Sequence, residues 1–145
     1  MKLNVGQFRP VRSLFINSSV LVLIASSTVI VSYPANSAAP PAQVGQCADT
    51  FIQRTGTRLV QGPAGIPVPG SGTGVKLTNG IYLVSYDEIS QLRVAQAGDK
   101  VKLCLLHIPE NCPPGDNRGR IYSLLNYRTN GYVEMPDSQH KCGGA

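Results

Sequence analysis

Four cysteines, all beyond residue 46, constrain this chain more than anything else in it. An even cysteine count in a short chain, without a Cys-x-x-Cys or a cysteine–histidine zinc spacing, points to two disulfides rather than to metal. Three pairings are open to Cys47, Cys104, Cys112 and Cys142. The favoured one joins Cys104 to Cys112, closing a loop, and Cys47 to Cys142, tying the two ends of the domain. In the chain-entropy description, loops of about 9 and about 96 residues contribute roughly 2.6 and 4.7 kcal/mol. That is a large share of the roughly 5 to 15 kcal/mol by which a domain is usually stable.

Such stapling fits a chain that leaves the reducing cytoplasm, and the N-terminus agrees. Lys2, Arg9 and Arg12 precede an uncharged, largely apolar run from Leu14 to Val31. Tyr33-Pro34-Ala35-Asn36-Ser37-Ala38 then supplies a helix breaker and small residues. This is the order of a secretory signal, expected over residues 1–38 with cleavage after Ser37 or Ala38. A retained anchor is the competing reading, because about 18 residues lie near the lower limit for crossing a bilayer. The expected destination is periplasmic or extracellular, with no membrane span after removal of the signal.

The 145 residues carry a formal charge of +5. Three of the thirteen bases lie in the signal and all eight acids lie beyond it, so ten bases face eight acids and the remaining charge is +2. With so little charge and no aromatics interleaved on a basic stripe, no nucleic acid partner is expected. The chain beyond the signal has room for one domain with a modest core. A Pro- and Ala-rich linker is expected over 39–46, and a disulfide-stabilised β domain over 47–145.

Within the domain, Phe51–Thr55 and Thr57–Val60 are β-rich around Gly56 and predict one strand bent there. Residues 61–74, rich in Gly and Pro, predict a flexible connection. Its Gly-Ser-Gly-Thr-Gly run lacks the Lys-Ser/Thr and the strand-to-helix setting of a phosphate loop. Val75–Leu77 and Ile81–Tyr86 flank Asn79-Gly80, which predicts a hairpin with a type I′ turn. Apolar residues on both faces of 81–86 suggest a central strand. Residues 87–96 fit a helical turn or an irregular crossing.

The stretch Val101–Tyr122 is the expected centre of the fold. A strand over Val101–Ile108 places Val101, Leu103, Leu105 and His107 on one face. A Pro-stiffened turn follows, then a strand over Ile121–Arg128 and a second tight hairpin at Asn130-Gly131. The predicted class is all-β: a small antiparallel barrel or roll of about six short strands, stapled by two disulfides.

The run Cys112-Pro113-Pro114-Gly115-Asp116, with Arg118-Gly119-Arg120, then Pro136-Asp137-Ser138-Gln139-His140 and Cys142-Gly143-Gly144, resembles a group of small exported bacterial proteins of unknown function. The resemblance covers the chain from about Cys47 onward. It implies export and the cysteine pattern and brings no activity with it.

Candidate function sits on the charged turn. Asp116, Arg118 and Arg120 lie beside a stiffened loop, where planar guanidinium forks are suited to a carboxylate or phosphate. The competing reading is an internal pair from Asp116 to Arg118 or Arg120 that only fixes the turn. No motif fixes a nucleophile or an oxyanion site, and no cofactor, metal or catalytic residue is expected. The expectation is therefore a non-catalytic binding or inhibitor-like module whose partner is a protein or an anionic envelope component. The alternatives are a small hydrolase-like enzyme using His107 or His140 with Glu110 or Asp116, and a structural cell-surface protein.

Overall fold

The computed structural model describes residues 37–144. The expected signal segment lies outside the described residues but for its last two positions. Eight strands and one helical turn follow one another: β1 (Cys47–Thr57), β2 (Val60–Gln61), β3 (Ile66–Pro67), β4 (Thr73–Leu77), β5 (Tyr82–Ser85), α1 (Ser90–Arg93), β6 (Lys100–His107), β7 (Ile121–Asn126) and β8 (Tyr132–Pro136). Six of them form one antiparallel sheet in the order β5-β4-β1-β6-β7-β8, and β2 and β3 make a separate small hairpin. The sheet curls into a half-barrel, so that its two outer strands, β5 and β8, approach each other. The predicted all-β, disulfide-stapled class is what the chain adopts.

The curl follows from β1. Its first half, Cys47 to Phe51, pairs with β6, and its second half, from Ile52 onward, pairs with β4. Between the halves the register shifts, because Ile52 opposes Leu77 while Arg54 already opposes Lys76 and leaves Gln53 over. An extra residue in one strand bends it and raises its twist. The bend expected at Gly56 thus falls at Gln53.

Alternation fills the concave side. Val101, Leu103 and Leu105 from β6, Tyr122 and Leu124 from β7, and Val133 and Met135 from β8 point inward and are buried. Ile52, Val75, Leu77 and Leu83 complete the wall, and Leu92 of α1 closes one end. Each such side chain contributes roughly 1.5 to 3 kcal/mol when fully buried, so the core, not the disulfides, dominates stability. His107 does not join this face: the register shifts between Leu105 and His107, and the imidazole is exposed.

Both hairpins form where expected, with other turns. Gly80 has φ 95° while Asn79 keeps an ordinary negative φ. Gly80 N–H donates to Leu77 O, and Leu77 N–H to Ile81 O. This is a three-residue loop built on a type I turn with glycine in the left-handed position, not the type I′ turn predicted. At the second hairpin Asn130 has φ 54°, and Asn126 Oδ1 accepts the N–H groups of Arg128 and Thr129. That Asn side chain ends β7 at Asn126, short of the expected Arg128.

β5 is an edge strand rather than a central one. Leu83 and Val84 are nonetheless both buried. Leu83 faces the core, while Val84 lies in a crevice whose other wall is Pro136 and the chain from Ser138 to Lys141. The segment expected as a linker also lies against the sheet: Pro41 is buried, and Gly45 N–H donates to Leu105 O. The last two residues of the expected signal do the same, with Ala38 N–H donating to Asp49 O and Ser37 Oγ 2.8 Å from Thr50 Oγ1. The Gly- and Pro-rich stretch 61–74, expected as a plain connection, carries the end of β2, all of β3 and the start of β4.

Candidate functional site: the charged turn and the C-terminal lap

The cysteines pair Cys47 with Cys104 and Cys112 with Cys142, so both expected pairings are overturned. The first follows from register. Cys47 and Cys104 face each other across β1 and β6 with Cα atoms 4.0 Å apart. Leu105 N–H donates to Gln46 O just beyond the pair, which makes it a non-hydrogen-bonded site, where cross-strand side chains come closest. Cys104 alternates with the inward Leu103 and Leu105 and so points to the convex face. The second bond joins the loop after β6 to the last residues, with Cα atoms 5.3 Å apart. Closing loops with separations of 57 and 30, the two contribute roughly 4.2 and 3.6 kcal/mol in the chain-entropy description. Two disulfides in a domain of this size are compatible with an exported protein.

This second disulfide builds the surface on which the predicted residues lie. Asp116 accepts from Arg118 Nε at 2.9 Å and from Arg118 Nη2 at 2.8 Å, a two-point fork. The same carboxylate accepts the Gly143 N–H at 3.0 Å, and Cys142 N–H donates to Arg118 O. One acid therefore holds the turn and the C-terminal residues together, over the bond between Cys112 and Cys142. Arg118 holds the Asp116 carboxyl well below the ordinary carboxylate range, with the Gly143 N–H second.

Arg120 behaves differently from Arg118. Asp137 Oδ1 accepts the main-chain N–H groups of Gly119 and Arg120, at 2.8 and 3.1 Å. The Arg120 guanidinium turns inward, beside the Tyr122 hydroxyl. Burial pushes that hydroxyl's pKa up, and the nearby Arg120 charge opposes the shift. The two groups are close, yet neither Arg120 Nε nor Tyr122 OH meets a partner in hydrogen-bonding geometry among the described residues.

Asp116 and Arg118 are thus brought together, and Arg120 is drawn away from them. A shallow concavity bounded by Pro114, Asp116, Asn117, Arg118 and Asp137 opens on the turn. Two acids beside one paired arginine do not favour an anion there. His107, Glu110 and His140 are exposed, and the Asp116 carboxylate that an imidazole would need is occupied by Arg118 and Gly143.

Sequence reasoning missed Asp99, whose side chain is 6% exposed. It accepts from Gln96 N–H, Asn126 Nδ2 and the Arg128 fork, joining the start of β6 to the β7–β8 turn. The one available signal was its place after Gly98 at a strand start. Among the described residues no helix is long and apolar enough to cross a membrane. Compared with protein-family models, curated proteins and solved structures, the chain matches none.

Proposed function

We propose that this protein is an exported, non-catalytic binding module that presents the turn 112–120 and the C-terminal lap to a protein partner in the periplasm or outside the cell. One observation carries the reading: the Asp116 carboxylate holds the Arg118 fork and the Gly143 N–H together above the Cys112–Cys142 bond. Two segments distant in sequence become one exposed, pre-ordered surface, and pre-ordering lowers the entropic cost of binding. The paired state of Arg118 and the presence of Asp137 favour a polar protein surface over an anionic envelope polymer. The paired cysteines, the expected signal segment and the resemblance to small exported bacterial proteins support export.

The test is affinity capture from envelope and culture-medium fractions with the oxidised protein, in parallel with an Asn117→Ala/Arg118→Ala variant of unchanged circular dichroism. A partner held by the native protein and lost with the folded variant supports the reading. A partner held equally by both, or no specific partner, overturns it.

A further inference from the structure

The convex face of the other half of the sheet carries a second, differently charged feature. Arg54 of β1 stands directly opposite Lys76 of β4, and Lys76 directly opposite Tyr82 of β5. Like charges facing each other across two strands are destabilising. Nothing in the described residues relieves this pair. Arg54 makes no ion pair among them, and Lys76 Nζ donates only to a neutral carbonyl, Gly80 O, at 2.6 Å.

Among the described residues a third cation, Arg58, is also held by neutral groups alone. It donates to Ser71 O and to Gln139 Oε1 at 2.8 Å, and its guanidinium lies 4.3 Å from the centre of the Tyr86 ring. The cations of the four ion pairs among the described residues, Arg93, Lys100, Arg118 and Arg128, each meet a carboxylate. Arg54, Arg58 and Lys76 line one cleft of about 230 Å³, with the Arg58 guanidinium turned to Tyr86 and Gln139 outside its lining, and among the described residues no acid lines it.

The cleft is shaped as well as charged. Its floor is Gly56 opposite Gly74, and the β2–β3 hairpin overhangs it through Val60 and Pro67. The Tyr82 hydroxyl lies over Gly74, where an added Cβ would come within 2.4 Å of it. A side chain at 74 would fill the space that Tyr82 now borders. The volume lies below the roughly 300 to 1,000 Å³ of drug-sized pockets, which suits one small charged group.

We infer that the cleft between β1, β4 and the β2–β3 hairpin binds a doubly charged oxyanion, phosphate or sulfate, either free or at the end of a small molecule. Arg54 and Lys76 supply charge-assisted donors, and the Tyr82 hydroxyl gives one further hydrogen bond. Residues kept for binding at a cost in stability are common at functional sites, and the Arg54–Lys76 repulsion is such a cost. This site is independent of the charged turn.

The experiment titrates the oxidised protein with inorganic phosphate and with glucose 6-phosphate, using glucose as the uncharged control. Melting temperature, calorimetry and amide chemical shifts are followed at constant ionic strength. Both anions, or one, should raise the melting temperature and shift the Gly56 and Gly74 amides, whereas glucose should do neither. Tighter binding of glucose 6-phosphate identifies an anion carried on a molecule, and tighter binding of phosphate identifies the free ion. Arg54→Gln and Lys76→Gln should each weaken binding by roughly tenfold or more, while Arg54→Gln leaves the melting temperature without ligand unchanged or higher. Asn117→Ala/Arg118→Ala should bind both anions as the native protein does. Absence of any response, shifts centred on the Arg118 turn, or affinity unaltered in folded Arg54→Gln and Lys76→Gln variants would overturn the inference. The amide shifts decide it in the native protein even if a variant does not fold.

Discussion

Arg128 Nε and Asp99 Oδ1 approach to 2.5 Å between the β7–β8 turn and the start of β6, and Arg128 Nη2 meets Asp99 Oδ2 at 2.7 Å. The acid is almost wholly enclosed while the arginine keeps nearly half its side chain in solvent. This asymmetry decides which partner matters. Removing Arg128 leaves a buried carboxylate charge with only the Gln96 N–H and the Asn126 amide as donors, whereas removing Asp99 deprives those two donors of their acceptor and leaves Arg128 with Val94 O and solvent. Arg128→Ala, which strands the enclosed carboxylate without its counter-charge, should lower stability by about 2 to 4 kcal/mol, and Asp99→Ala, which leaves an arginine that solvent can reach, by about 1 to 3 kcal/mol, measured by urea denaturation.

The same pair sets an acid limit. The Arg128 fork, followed by the Asn126 amide and the Gln96 N–H, holds the Asp99 carboxyl well below the ordinary carboxylate range. Stability from a depressed carboxyl is present above its unfolded pKa and lost as pH falls toward the folded one. Urea midpoints should therefore be flat above about pH 5 and fall steadily below about pH 4. Asp99→Asn should start lower and fall less steeply over that acid range.

Oxidation state should separate two parts of the protein. In a Cys112→Ser/Cys142→Ser variant the C-terminal lap keeps only hydrogen bonds such as Cys142 N–H to Arg118 O at 3.1 Å. Amide exchange at positions 142 and 143 should accelerate by orders of magnitude in that variant, with β6 and β7 still protected. Cys47→Ser/Cys104→Ser should instead lower global stability by about 4 kcal/mol.

Two glycines predict opposite outcomes. Gly72 has φ 99°, and a Cβ there would lie 2.1 Å from Ser85 O, a main-chain atom that cannot step aside. Gly72→Ala should cost about 3 kcal/mol or more, or prevent folding. Gly56 has nothing within 4 Å of an added Cβ. Gly56→Ala should be neutral or stabilising by up to about 1 kcal/mol in the same denaturation assay.

Tyr122 is fully buried, with a hydroxyl that has no partner of good geometry among the described residues. Tyr122→Phe keeps the ring and removes the desolvated oxygen, so thermal denaturation should show a change within about 1 kcal/mol, in either direction. Tyr122→Ala should cost about 3 to 5 kcal/mol through the cavity it leaves.

Local signals carried the fold class. Alternation over Val101–Leu105 and the turn residues at Asn79-Gly80 and Asn130-Gly131 are readable because strand period and turn chemistry act over a few neighbours. What depends on pairing was not readable. Cys47 meets Cys104 only because β1 lies beside β6, and Asp99 meets Arg128 across 29 positions. The apolar character of 81–86 was real, but Val84 faces the end of β8 at Pro136 and the chain from Ser138 to Lys141, not a hydrogen-bonded neighbour strand on β5's outer edge. At the charged turn, the internal Asp116–Arg118 pair was among the readings the residues allowed. The inward turn of Arg120 was not, because it depends on Asp137 arriving from the far side of a hairpin.

Strand β1, with its leftover Gln53, is also a matter of timing. Every other strand of the main sheet has a neighbour close to it in the chain: β4 with β5, and β6, β7 and β8 in succession. β1 is made before all of them and depends on both groups, with Phe51 opposite Lys100 and Arg54 opposite Lys76. Two hairpin systems can therefore assemble from local contacts while the strand that unites them waits. Formation of the Cys47–Cys104 bond then reports that the earliest strand has reached its place, and it fastens the first-made part of the domain to the part made later.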